Sequence, residues 1–128
     1  MSQDERKFLL DVDASFSAAG AVLQQRQEGE LKVIGYASRV FQPCELRYSV
    51  TRKETAALVF GLKHYRQYLL GRRFIVRTDH SAMAFTRTAS ELIGQQARWI
   101  DFIEQFNCEF QHRSGANHAN ADAMSRRP

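Results

Sequence analysis

Four carboxylates in this 128-residue chain stand where strands and helices would end: Asp13, Glu54, Asp79 and Asp122. Asp13 closes the apolar run FLLDVD and Asp79 closes FIVRTD. If the two runs are neighbouring parallel strands, both carboxylates emerge at their carboxyl ends, where open α/β sheets place their sites. Carboxylates gathered at one end of a sheet repel and raise one another's pKa unless a cation neutralises them. Hard oxygen donors with few nitrogen or sulfur competitors favour Mg²⁺. Two such ions on a carboxylate cluster suit phosphodiester cleavage, one activating water and one stabilising the leaving oxygen.

Taken singly, each residue also has an ordinary reading. An Asp at a strand end serves as a turn residue or a cap, and Asp11 shares the face of Asp13 and competes for its role. Thr51-Arg52-Lys53-Glu54 fits the capping box S/T-x-x-E, which would use Glu54 to close a helix N-terminus. Asp79 could cap a following turn. Asp122 sits in a polar terminal segment, as solvated carboxylates do.

These residues need a scaffold, and the hydrophobic pattern supplies one. Residues 1–6 are a polar lead-in. Strands are expected over Lys7–Ala14, Ala18–Gln27 and Leu31–Ser38, joined by the turn Ser15-Phe16-Ser17 and the hairpin loop Glu28-Gly29-Glu30. They read as an antiparallel meander. The first strand is apolar almost without a break, as in a strand buried on both faces. A helix is expected over Thr51–Leu70, with Leu58, Leu62, Tyr65 and Leu69 at helical spacing and Gly71 closing it. Glu54 shares the face of Leu58 and Leu62 and so points toward the sheet. The strand Phe74–Asp79 follows, and a strand–helix–strand crossover makes it parallel to the first. A short helical turn from Ser81, a helix over Leu92–Phe106, a strand over Cys108–His112 and a short helix over Asn120–Arg126 complete the order. The expectation is one α/β domain over residues 1–128 with a five-stranded mixed sheet flanked by helices.

Composition bounds the partners. Hydrophobic content is 44% and charged content 25%, as in ordinary globular domains. Eighteen basic against fourteen acidic residues give a net charge of +4, which permits nucleic-acid binding without requiring it. Cys44 and Cys108 have no metal-ligand spacing and read as reduced thiols of an intracellular protein. No apolar run is long enough to span a membrane, and the start MSQDERK has no signal-peptide character.

The segments FLLDVDASFSAAGAVL, TRKETAAL, FIVRTDHSAM and HRSGANHANADAMSRRP occur in this order. Together they resemble the ribonuclease H domain of gypsy-type LTR retrotransposon reverse transcriptases. That family's patterns are TDAS followed by GAVL, then KEL, a strand ending TDH, and NxxADALSR. YASRVF and HYRQYLLGRRF resemble its connecting segments, so the likeness runs from Phe8 to Pro128. Val12 replaces the usual Thr before the first Asp, and Met124 replaces Leu in the last motif; neither touches a ligand position.

The resemblance implies a ribonuclease H-like fold and a metal set of Asp13, Glu54, Asp79 and Asp122 holding two Mg²⁺ ions, with Mn²⁺ able to substitute. Asp13 would bridge the ions, Glu54 and Asp79 would hold one, and Asp122 would complete the other. The Ala-Ser after the family's first Asp selects Asp13 over Asp11. His112 stands ten positions before Asp122, the spacing of the mobile histidine of many ribonucleases H, and His118 is its rival. The implied activity is endonucleolytic cleavage of the RNA strand of RNA–DNA hybrids, leaving a 3′-hydroxyl and a 5′-phosphate. The implied partners are the hybrid and the polymerase domain of a parent polyprotein, and the implied location is cytoplasmic, in a virus-like particle, or nuclear.

The chain lacks a polymerase YxDD motif, a zinc knuckle and an integrase His/Cys pattern, and reads as the nuclease domain alone. Nor does the stretch from His80 to Gly94 hold a basic substrate-gripping helix. A catalytically silent binding or connection module of the same fold is the alternative, and the complete carboxylate set argues against it. An integrase-like strand-transfer enzyme is a second, opposed by the Thr-x-x-Glu helix and the terminal ADAMSR.

Overall fold

The computed structural model describes residues 6–78 and 95–112. Among these, five strands form one mixed sheet in the order β3-β2-β1-β4-β5. They are β1 Phe8–Ala14, β2 Ala18–Gln27, β3 Glu30–Val40, β4 Arg73–Thr78 and β5 Asn107–His112. β1–β2 and β2–β3 are antiparallel, whereas β1–β4 and β4–β5 are parallel. The central position of β1 explains its apolar composition: it has a neighbour on each side and Phe8, Leu9, Leu10 and Val12 are all buried.

Side-chain alternation divides the sheet into two faces. Leu10 and Val12 of β1, Ala19, Ala21 and Leu23 of β2, and Phe74 and Val76 of β4 form the core face. Helix α1, Val50–His64, lies on it through Ala57, Leu58 and Leu62. Gly61 makes the approach close. A Cβ there would meet Ala21 Cβ at 3.1 Å, Val12 Cγ1 at 3.2 Å and Leu10 Cδ2 at 3.4 Å. Helix α3, Gln95–Glu104, adds Ile103 to the same core, with Phe106 just beyond it. The expected start of this helix at Leu92, the turn from Ser81 and the terminal helix over Asn120–Arg126 lie outside the described residues.

The long helix departs from expectation at both ends. It starts at Val50, capped by Ser49, and it stops at His64. A separate turn, α2, covers Arg66–Leu69. Tyr65 is the joint, with φ −108° and ψ 21°. Its ring turns inward against His64, with centroids 4.7 Å apart, and lies over Gly35, where a Cβ would come within 2.9 Å of the Tyr65 hydroxyl. Tyr65 N still bonds to Gly61 O at 3.0 Å, and the chain leaves the helical conformation at Tyr65 itself. Gly71 ends the second turn as expected, at φ +83°, a conformation glycine adopts without steric cost. The hairpin loop is shorter than expected. Glu28 and Gly29 alone turn the chain, both at positive φ, and Glu30 already belongs to β3. A register shift at Leu23/Gln24 then places Gly35 and Val33 as successive partners, with Ile34 between them.

Candidate active site

The chain direction of α1 brings its first turn to the carboxyl end of β1. Lys53 Nζ, in that turn, donates to the carbonyl of Phe16 at 2.8 Å, and Phe16 lies in the turn that follows β1. Further along, Gly61 faces Leu10 and Val12. The helix therefore runs back along β1, and Asp13 and Glu54 occupy the same end of the sheet. Thr78 closes β4 at that end, parallel to β1, and the backbone of His112 in β5 is in register with Thr78. Asp79 and Asp122 lie outside the described residues, as does His118, and the side chain of His112 is likewise not described.

Asp13 is half-buried and its Oδ1 accepts from the backbone N–H of Ala14 at 2.9 Å. It alternates with Val12 and Ala14 along β1, so it stands on the sheet face opposite α1. Glu54 stands on the inward side of α1 with Leu58 and Leu62 and is 5% exposed. The two carboxylates thus reach one strand end from the two sides of the sheet.

The capping box expected from Thr51-x-x-Glu54 does not form. Ser49 is the N-cap: its hydroxyl oxygen accepts from Arg52 N at 3.1 Å, and its carbonyl accepts the helix bond from Lys53 N at 2.9 Å. Thr51 is already inside the helix, where its carbonyl accepts from the hydroxyl of Thr55 at 3.0 Å. Counting from Ser49, the third helical residue is Arg52, not Glu54. A serine two residues upstream took the extended cap conformation, φ −61° and ψ 164°, and left Glu54 deeper in the helix than a capping residue stands.

Asp11 also acquires a role that pattern reading missed. Arg77 of β4 donates to it twice, Nε to Oδ1 at 2.7 Å and Nη2 to Oδ2 at 2.9 Å. Gln24 Nε2 of β2 adds a bond to Oδ2 at 2.7 Å. The fork of Arg77 fits a carboxylate bidentately, and the hydrogen bonds to Asp11 hold its pKa above the ordinary guanidinium value. Asp11 thus bridges three strands. The signal available in sequence was only that Asp11 and Arg77 each sit mid-strand among apolar residues.

Lys53 was also missed. It is 7% exposed, and beyond the Phe16 carbonyl its ammonium lies 4.3 Å from the Phe16 ring centre and 5.8 Å from that of Phe41. Upstream of the helix, Arg39 donates to Glu45 through both terminal nitrogens, at 2.9 and 2.6 Å, and Glu45 also accepts from Gln42 N at 2.7 Å. These bonds, those from Arg39 foremost, hold the Glu45 carboxyl below its ordinary pKa.

A family described as "RNase H-like domain found in reverse transcriptase" matches residues 3–106. The chain belongs to this family. Among curated relatives, this RNase H-like domain is 37% identical over 124 residues to the Retrovirus-related Pol polyprotein from transposon opus of Drosophila melanogaster. That match covers 96% of the chain and 12% of the relative. It is also 37% identical over 126 residues to the Transposon Tf2-3 polyprotein of Schizosaccharomyces pombe, covering 94% of the chain and 10% of the relative. The domain thus spans about a tenth of the length of these relatives. Among solved structures it superposes on the foamy viral protease-reverse transcriptase in complex with RNA/DNA hybrid. The TM-score is 0.68 at 20% identity, over 88% of this chain and 16% of that one. LC11-RNase H1 in complex with RNA/DNA hybrid gives a TM-score of 0.60 at 17% identity, over 91% and 92%. At these identities the two superpositions speak for the fold, which is RNase H-like.

Proposed function

We infer that this domain is a metal-dependent endonuclease that hydrolyses the RNA strand of RNA–DNA hybrids during reverse transcription. The observation that carries the reading is the position of Glu54. It is buried near the start of the helix whose first turn meets the carboxyl end of the central strand, the end where Asp13 stands, and the cap that its sequence pattern suggested is made by Ser49 instead. Membership of the reverse-transcriptase RNase H-like family, and the hybrid bound by two structures of the same fold, support the choice of substrate.

The donor chemistry fits the metal. Asp13 and Glu54 offer only carboxylate oxygens, the ligand class Mg²⁺ and Mn²⁺ take. In this reading Asp13, Glu54, Asp79 and Asp122 hold two Mg²⁺ ions. When bound, the ions supply the Lewis acidity that phosphodiester hydrolysis needs. Asp13 and Glu54 fix the position of that charge from two rigid elements, which spares reorganisation during the reaction. His112, at the end of β5, assists proton transfer at the leaving group or product release. The domain works beside a polymerase domain in a longer Pol polyprotein, in a cytoplasmic virus-like particle or in the nucleus.

The test is to incubate the protein with end-labelled RNA–DNA hybrid, duplex DNA and duplex RNA in parallel, with Mg²⁺ and with chelator. The expected result is cleavage of the hybrid's RNA strand alone, in Mg²⁺ alone. Full cleavage in chelator would overturn the metal mechanism. Binding of hybrid without cleavage under any divalent ion would show a silent module.

A further inference from the structure

Resting on that reading, we propose that the Phe16 side chain is a substrate contact of this domain, packing on a sugar of the hybrid next to the scissile position, and that Lys53 holds it there. Phe16 is 75% exposed, the highest exposure among the large hydrophobic residues described. It stands three residues beyond Asp13 at the tip of the turn that joins β1 to β2.

That turn is tightly pinned. Ser15 Oγ accepts from Ser17 N at 3.3 Å and from Ala18 N at 3.1 Å, while Ser15 N donates to Ala18 O at 2.9 Å. Phe41 N donates to Ser17 O at 2.8 Å, tying the turn to the end of β3. Lys53 Nζ takes the Phe16 carbonyl and lies 4.3 Å from its ring centre. An apolar ring raised into solvent on so fixed a turn buries little of its own surface. A ring that is fixed before binding loses little freedom when a ligand covers it.

Lys53 carries the second half of the argument. It is nearly buried, yet among the described residues it meets one carbonyl and two rings and forms no ion pair with a carboxylate. Desolvating an ammonium without a counter-charge is unfavourable, and cation–π contact offsets only part of it. The arrangement keeps a positive charge at the base of Phe16, beside the strand end that holds Asp13. Apolar side chains, Phe among them, are used against the minor groove of duplexes. Lys53 is here a positioning residue acting through Phe16.

The experiment is equilibrium binding of a labelled RNA–DNA hybrid at low salt in chelator, so that no cleavage is needed, with Phe16→Ala, Phe16→Trp, Lys53→Met, Lys53→Arg and the Phe16→Ala/Lys53→Met double variant. Phe16→Ala should weaken binding about tenfold, in the range of removing one aromatic platform, with only a small fall in melting temperature, since the ring is exposed and only its contact with Lys53 is lost. Phe16→Trp should restore affinity. Lys53→Met should weaken binding and Lys53→Arg recover it. The double variant should bind no worse than Phe16→Ala, as expected when one residue acts through the other. Phe16→Ala binding within twofold of the parent would overturn the proposal, whatever Lys53→Met does. Additive losses in the double variant would overturn the role given to Lys53. A parent protein that binds hybrid through Phe16 but cuts nothing in Mg²⁺ would leave this inference standing and remove the nuclease reading.

Discussion

Glu54 is the residue on which the nuclease reading turns, and Glu54→Gln separates its possible roles. The variant keeps the shape and loses the charge. Because Ser49 caps α1, the helix should form normally, and the melting temperature without metal should stay the same or rise. Hybrid cleavage should fall by orders of magnitude, and the rise in melting temperature on adding Mg²⁺, which follows from binding the folded state alone, should shrink. Cleavage at the parent rate would remove Glu54 from the site. Asp11 and Asp13, two residues apart on one face, should behave in opposite ways. Asp11→Asn leaves Arg77 half-buried with a weaker acceptor, so it should lower stability by about 1.5–3 kcal/mol, the usual worth of a hydrogen bond to a charged group. It should spare most of the cleavage activity. Asp13→Asn should abolish cleavage and leave the fold intact. A thermal melt and a cleavage assay on both variants check the pair, and the reverse pattern would move the metal role to Asp11.

The elements at the site are joined by polar ties whose strength depends on pH. Arg39, at the end of β3, grips Glu45 in the single turn of 3-10 helix, Glu45–Arg47, that leads into α1. Glu45 has a lowered pKa in the folded protein, and the Arg39 hydrogen bonds are the first cause. The unfolded chain therefore takes up this proton before the folded one does. The tie contributes its full stability above the ordinary carboxylate pKa of about 4.3 and loses it as pH falls through the folded value. Arg39→Ala should accordingly lower the melting temperature at neutral pH, and the difference from the parent should close below pH of about 4. A difference that persists undiminished at acidic pH would assign the effect to packing of the Arg39 stem rather than to its charge.

At the scale of the whole molecule, charge governs how the domain meets a hybrid. The net charge is +4, a small excess with which to neutralise phosphates. Hybrid binding by the isolated domain should be weak and salt-sensitive. By the duplex rule of roughly −0.9 per phosphate contact, a log–log slope worth about three to five contacts is expected. A nanomolar complex indifferent to salt would contradict this. If, as proposed, the domain is tethered to a polymerase, such weakness is no obstacle, since the tether would raise the effective concentration of the hybrid.

Read by itself, the sequence determined the strand order in the chain, the crossover that makes β4 parallel to β1, and the inward side of α1 with Glu54, Leu58 and Leu62. Each follows from a local period or from the handedness of a connection, and such signals are written in neighbouring residues. It also carried the family, through long motifs in fixed order. Local reading put the cap of α1 at Thr51, where the capping-box pattern stands, whereas the structure caps it with Ser49, a residue type that ranks above Thr in that role. Tertiary structure alone set the Tyr65 ring, where the helix ends, over Gly35, thirty residues away. It also gave Asp11 to Arg77 and set Lys53 under Phe16. These are contacts between residues 66 and 37 positions apart. No local pattern records such pairings, since they exist only once the sheet has brought distant strands into register.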